Sequence, residues 1–145
     1  MDFEIRSPRN PKEWDAYFDL RYRVLREPLG QPRGSEQNEG DTDGIHFALF
    51  TNKQIVAIAR LDNSTEKMAQ VRFVAVESNL QGKGYGKTIM EATENRAVQL
   101  GYNEIVLHAR DYAVDFYKRI GYKLIEPSHK LFGILQHYKM TKKII

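Results

Sequence analysis

Seven consecutive residues carry the clearest chemistry in this chain: Gln81-Gly82-Lys83-Gly84-Tyr85-Gly86-Lys87. An apolar run, Val71 to Val76, precedes them, and a helical pattern from about Thr88 to Leu100 follows. Strand, glycine loop and helix start together present backbone N–H groups that have no intrahelical partner, at the positive end of the helix dipole. Glycines let the backbone approach an anion closely and adopt positive φ. Lys83 and Lys87 add positive charge. The loop reads as a cradle for a phosphate or pyrophosphate.

Two familiar phosphate motifs fail on single residues. Gly86-Lys87-Thr88 ends like a nucleotide P-loop, but that motif needs glycine at position 81, which is Gln81. A dinucleotide fingerprint starting at Gly82 and Gly84 needs a third glycine at 87, which is Lys87. The chain has no cysteine, so disulfides, thiolate metal sites and a cysteine nucleophile are excluded. Its histidines, at 46, 108, 129 and 137, lack the close spacing of a metal site, and no metal is expected.

The elements that must position the loop follow from pattern. Phe3 to Arg6 reads as a first strand. Asn10-Pro11-x-Glu13 opens a helix of about Pro11 to Arg26, with a capping residue, a first-turn proline and a capping-box Glu. Trp14, Tyr17, Phe18, Arg21, Val24 and Leu25 recur on one face of it. Residues 27–44 form a long loop rich in Pro and Gly. Its acidic part, with Glu36, Glu39, Asp41 and Asp43, could attract a cationic amine. Ile45 to Phe50 and Gln54 to Leu61 read as strands joined at Asn52-Lys53, and Met68 to Val76 as the third strand of a meander. After the glycine loop and its helix, Ile105 to Leu107 reads as a buried parallel strand. Asp111 is placed to cap a further helix ending at Gly121, and Tyr122 to Ile125 and Leu131 to Met140 read as the last strands.

At 145 residues the expectation is one domain, 1–145, with normal apolar and charged shares for a globular protein. The net charge of +3 does not single out a nucleic-acid binder. No apolar run approaches the ~20 residues that span a bilayer. With no membrane segment and an acidic N-terminus lacking a leader pattern, the expected location is cytoplasmic.

The sequence resembles the GNAT superfamily of acyl-CoA-dependent N-acyltransferases. The family pattern Gln/Arg-x-x-Gly-x-Gly/Ala is met by Gln81, Gly84 and Gly86, after the strand end Ala75-Val76. A second segment agrees: Leu107-His108-Ala109-Arg110, Ala113, Phe116-Tyr117 and Gly121-Tyr122. The likeness spans about residues 1 to 141. The N-terminal helix and the ending around Phe132 to Met140 resemble the small ElaA-like bacterial branch.

The resemblance implies an α/β fold: a mixed, mostly antiparallel sheet of six or seven strands flanked by three or four helices. It implies N-acetyl transfer from acetyl-CoA, as co-substrate, to a primary amine of a small molecule or peptide, by direct attack in a ternary complex. Pantetheine would insert where strands splay at Val74, Ala75 and Val76. The pyrophosphate would lie over Gln81, Gly82, Lys83, Gly84, Tyr85, Gly86 and Lys87, and Arg110 could contact CoA or the acceptor. Tyr117 is the candidate general acid for the leaving thiolate. His108 leads as general base, ahead of His46, His137 and Glu77. The rival reading is a non-catalytic acyl-CoA sensor or interaction module on the same fold. No nucleic-acid or membrane partner is implied. A homodimer through the last strands is compatible with an edge-strand ending.

Overall fold

The computed structural model describes residues 2–145. Seven strands form one sheet: β1 (Glu4–Arg6), β2 (Ile45–Thr51), β3 (Gln54–Asn63), β4 (Met68–Val76), β5 (Glu104–Arg110), β6 (Lys123–Leu131) and β7 (Leu135–Lys143). Their spatial order is β1-β2-β3-β4-β5-β7-β6. Every pairing is antiparallel except β4 with β5. The helices are α1 (Pro11–Leu25), α2 (Tyr85–Gln99) and α3 (Val114–Arg119). This is the expected mixed, mostly antiparallel architecture.

The helices cover opposite faces. One apolar cluster joins Tyr17, Leu20 and Leu25 of α1 to Ala48, Phe50, Ile58 and Ala75 of the sheet. The other joins Ile89, Met90 and Ala97 of α2 and Tyr117 of α3 to Ala57, Ala59, Leu61, Leu107 and Ala109. Burying each of the Leu, Ile, Met and Phe side chains contributes about 1.5–3 kcal/mol, and each face of the sheet has its own cluster. α1 starts as its sequence dictates, with the Glu13 N–H donating to Asn10 Oδ1 at 2.9 Å. The Glu13 carboxylate accepts from the Arg9 N–H and from the Arg6 guanidinium, and so ties the helix start to β1.

Several boundaries differ from expectation: β5 reaches Arg110 rather than ending at Leu107, and the last strand starts at Leu135 rather than Leu131. The glycine-loop helix begins three residues earlier, at Tyr85, because Gly84 is its left-handed N-cap. Asp111 does not cap α3; its Oδ1 accepts from the Tyr112 N–H at 2.7 Å in a 3₁₀ turn that precedes the helix. The strand after Tyr122 continues through residues 126–130 to Leu131, and the hairpin turns at Phe132-Gly133, both at positive φ. Pro127 is tolerated because β6 is the sheet edge and is bulged on both sides of it.

Candidate functional site

β4 and β5 pair only at Met68↔Glu104, Ala69↔Ile105 and Gln70↔Val106. Beyond that point β4 stays with β3 and β5 stays with β7, and the two central strands diverge. A bulge sharpens the divergence. Between Ile58↔Ala75 and Arg60↔Arg72, two residues of β4, Phe73 and Val74, oppose Ala59 alone. Bulges bend the strand and increase its twist. Phe73 sits at φ 55°, a left-handed conformation costly for an aromatic residue. Its ring is surrounded by cations: the Arg21 guanidinium lies 4.2 Å from the ring centre, Arg60 4.9 Å and Arg26 5.5 Å.

The gap is a cavity of about 820 Å³. Val74, Ala75, Val76, Gln81, Gly82, Gly84, Tyr85, Gly86, Lys87, His108, Arg110 and Tyr117 all line it. Of the residues singled out in the sequence, Lys83 stands outside the lining. Gly82 and Gly84 have φ 82° and 91°, which glycine alone adopts freely. Gly86 is needed for a different reason: a Cβ there would meet the Phe116 ring at 3.1 Å. No side chain caps α2 at Gly84, and an anion seated there meets the positive end of the helix dipole. The Gln81 side chain donates to the Val76 carbonyl at 3.3 Å, holding the loop to the end of β4.

Tyr117 is buried edge-on between Phe116 and Tyr122. Burial pushes its phenol pKa well above the ordinary value, Tyr112 adds to the rise, and Arg110 opposes it. Such a hydroxyl stays protonated and can give a proton. His108 lies on the other face of the sheet: its neighbours Leu107 and Ala109 pack toward α2, and alternation turns His108 and Arg110 toward α1. Arg110 reaches that side, with Nη2 donating to the Leu25 carbonyl at 2.6 Å. Desolvation, then His129, Lys139 and Arg72, hold His108 below the usual imidazole range. Its Nδ1 is buried without a hydrogen-bond partner among the described residues.

Two histidines that sequence spacing left scattered join it. The His129 ring lies 5.6 Å from His108, and His137 stacks on His129 at 4.4 Å. All three line the cavity. Burial, opposed by the hydrogen bond to the Leu135 carbonyl, brings His137 down to about 4. The other base candidates are occupied elsewhere. His46 bonds to the Tyr17 hydroxyl at 2.8 Å and to the Asp41 carbonyl at 2.9 Å. Glu77 is clamped by Arg23 at 2.7 Å and 3.1 Å.

The acidic segment does not face the cavity. Glu36 is buried, accepting from the Gly34 N–H and the Gln37 amide. Asp41 bridges two fully buried guanidiniums, Arg21 at 2.9 Å and Arg60 at 2.8 Å. No residue from Glu36 to Asp43 lines the cavity, so the expected attraction of a cationic amine by this segment is not what the fold provides.

A sheet parted beside a glycine-opened helix is the architecture of acyl-CoA N-acyltransferases. The sequence model of the acetyltransferase (GNAT) domain matches residues 31–144, and the chain belongs to that family. It is 24% identical over 134 residues, 92% of this chain and 95% of the relative, to YjcF, an uncharacterized N-acetyltransferase of Bacillus subtilis strain 168. Among solved structures, Escherichia coli ElaA superposes with a TM-score of 0.82 at 19% identity, covering 98% of this chain and 99% of that one. An aminoglycoside 6′-N-acetyltransferase complexed with coenzyme A also gives 0.82, at 17% identity, covering 100% and 98%.

Proposed function

We propose that this protein transfers an acetyl group from acetyl-CoA to a primary amine in a ternary complex. The observation that carries the reading is a single cavity that joins the glycine loop at the start of α2, the parted edges of β4 and β5, and the side chains of Tyr117 and His108. The N–H groups around Gly82, Gly84 and Gly86 hold the pyrophosphate. The backbone of Val74 to Val76 pairs with the pantetheine arm as an added strand would. His108 takes a proton from the bound ammonium. The freed nitrogen attacks the thioester carbonyl, the Val74 N–H stabilises the charge on its oxygen, and the C–N bond forms. As the C–S bond breaks, Tyr117 gives its proton to the departing thiolate, and the second proton shed by the new amide nitrogen restores the Tyr117 hydroxyl. In the coenzyme-A-bound neighbour the same fold carries coenzyme A, which supports the donor assignment.

Two measurements test this. Calorimetric titration of CoA into wild type and Gly84→Glu should show affinity lowered by at least about tenfold in the variant, because the substitution sets a like charge and a strained φ beside the pyrophosphate. Equal affinity overturns the cradle. Thiol release from acetyl-CoA should accompany acetylation of an amine, and Tyr117→Phe should lower kcat by about a hundredfold with CoA binding intact. CoA binding without transfer to any amine, and no effect of Tyr117→Phe, would instead identify an acyl-CoA sensor.

A further inference from the structure

Among the described residues the cavity lining contains Arg23, Arg26, Arg72, Arg110, Arg119 and Lys87, and not one Asp or Glu. Arg119, the last residue of α3, stands apart, and the other five cations are of two kinds. Lys87 belongs to the first turn of α2, beside the glycine cradle, and Arg23 is neutralised by Asp19 and Glu77. The second kind lies on the α1 face of the sheet. Arg72 is in register with Arg60, which is on that face with Arg21 and Asp41. Arg110 reaches the end of α1, and Arg26 is the residue that ends it. Arg72 has no hydrogen bond or ion pair among the described residues. Arg26 bonds only to backbone carbonyls, those of Ser35 and Leu25.

These charges strain against one another. Desolvation, then Arg110, Arg21 and Arg72, lower Arg26 to about 10. Desolvation, then Arg60, lowers Arg72, with Asp62 and Asp41 opposing in part. Along β4 the rise of ~3.3 Å per residue sets Arg72 roughly 13 Å from Val76, and the glycine loop begins only beyond that. Arg72 is therefore set back along β4 from the cradle, at the opposite end of the parted stretch. A cleft lined by guanidiniums that have no carboxylate partner favours a ligand that supplies the missing negative charge and disfavours a polycation.

We infer that the acceptor is a small amine that also carries an anionic group, carboxylate or phosphate, bound by Arg72, Arg26 and Arg110 on the α1 face of the cleft. The anion anchors the molecule beside the guanidiniums, and its amine points to His108 at the parting of the strands. This rests on the acetyltransferase reading for the role of the ligand, but the anion subsite can be measured without turnover.

The test uses the intact protein and ligand-observed NMR, with and without CoA. The probes are N-acetylglycine, N-acetyl-β-alanine, N-acetyl-4-aminobutanoate, N-acetyl-3-aminopropyl phosphate and the uncharged N-propylacetamide. At least one anionic amide should bind about tenfold or more tightly than N-propylacetamide. Carboxylate and phosphate probes show which anion is preferred. Arg72→Gln should weaken that binding by roughly tenfold to a hundredfold, the worth of one charge-assisted hydrogen bond, and Arg72→Lys should restore part of it. In parallel, glycine, β-alanine, 4-aminobutanoate, 3-aminopropyl phosphate, propylamine and spermidine are offered with acetyl-CoA. Uncharged and anionic amides binding alike, no anionic amide binding to the wild type at about 10 mM, a concentration well above the millimolar Kd of a weak ligand, or transfer to spermidine in preference to the acids would each overturn the inference. Failure of CoA to bind would sink the acetyltransferase reading alone, since the amide titrations without CoA still report on the anion subsite.

Discussion

Arg60 and Arg72 face each other in register across β3 and β4, two like charges on one face of the sheet. They differ in what neutralises them. Arg60 is fully buried and held by Asp62 at 2.7 Å and Asp41 at 2.8 Å. Arg72 has no such partner among the described residues and opens into the cavity. Like charges directly opposite destabilise a sheet. Arg72→Gln should therefore raise stability in the absence of ligand by about 0.3–0.5 kcal/mol, the effect being small because the side chain is accessible to water. Urea denaturation checks this, and a loss of stability would show that Arg72 is held by contacts within the fold.

Asp41 should behave in the opposite sense. It neutralises Arg21 and Arg60, both fully buried. Asp41→Ala leaves two buried guanidiniums with less compensation and should cost about 3–5 kcal/mol by chemical denaturation. The pH dependence has a fixed sign. Burial raises the Asp41 pKa, but the Asn38 N–H and the Arg60 and Arg21 guanidiniums outweigh it and hold it below the ordinary value. Its contribution is present in full above about pH 3.9 and is lost as pH falls through the depressed folded value. Asp41→Asn should remove that acid-side loss from the stability profile.

Gly86 and Phe116 should be coupled. Gly86→Ala sets a Cβ 3.1 Å from the Phe116 ring, which must move. We expect the strain to cost about 1 kcal/mol, offset in part by the helix propensity that alanine has over glycine, together with weaker CoA binding. Phe116→Leu removes the offending ring edge. In a double-mutant cycle the pair should cost less than the sum of the single changes by about 0.5 kcal/mol or more. Strict additivity would mean that the glycine is there for the ligand alone.

His108 should titrate below the ordinary imidazole value of about 6.5. Burial and the charges of His129, Lys139 and Arg72 all disfavour its protonated form. Lys139→Gln removes one of those charges and should move the pKa upward. An NMR pH titration of the ring protons reads both values. If His108 is the base, the acid limb of kcat/KM moves with it, because activity then requires the neutral ring. A wild-type value above 6.5 contradicts the arrangement.

The glycine loop, the meander and the helix-strand order were legible in the sequence because each is a local pattern: positive-φ glycines, alternation, caps. What depended on pairing between distant residues was not. The acidic segment gave no sign that its charge is spent internally, since Asp41 meets Arg21 and Arg60 only after the chain folds back by 20 and 19 residues. His129 fell in a stretch that read as a break between strands, because Pro127 looks like an interruption until β6 is known to be an edge. The bulge at Phe73-Val74 depends on the register between β3 and β4, which no single strand encodes. The divergence of β4 and β5 came from family resemblance, and the geometry now supplies its cause.

One contact across the cleft has a mechanical consequence. β4 is packed under α1, and β5 on the far side of the gap is fastened to the end of that same helix by Arg110 Nη2 on the Leu25 carbonyl. The parted strands are thus cross-tied at their mouth, like a clip whose jaws are set to a fixed gape. A molecule entering between them meets an opening already cut to width. Less of its binding energy is then spent on prying strands apart or on ordering a floppy edge. Cutting the tie, as Arg110→Ala would, should loosen the jaws, and the change would register as faster release of whatever they grip.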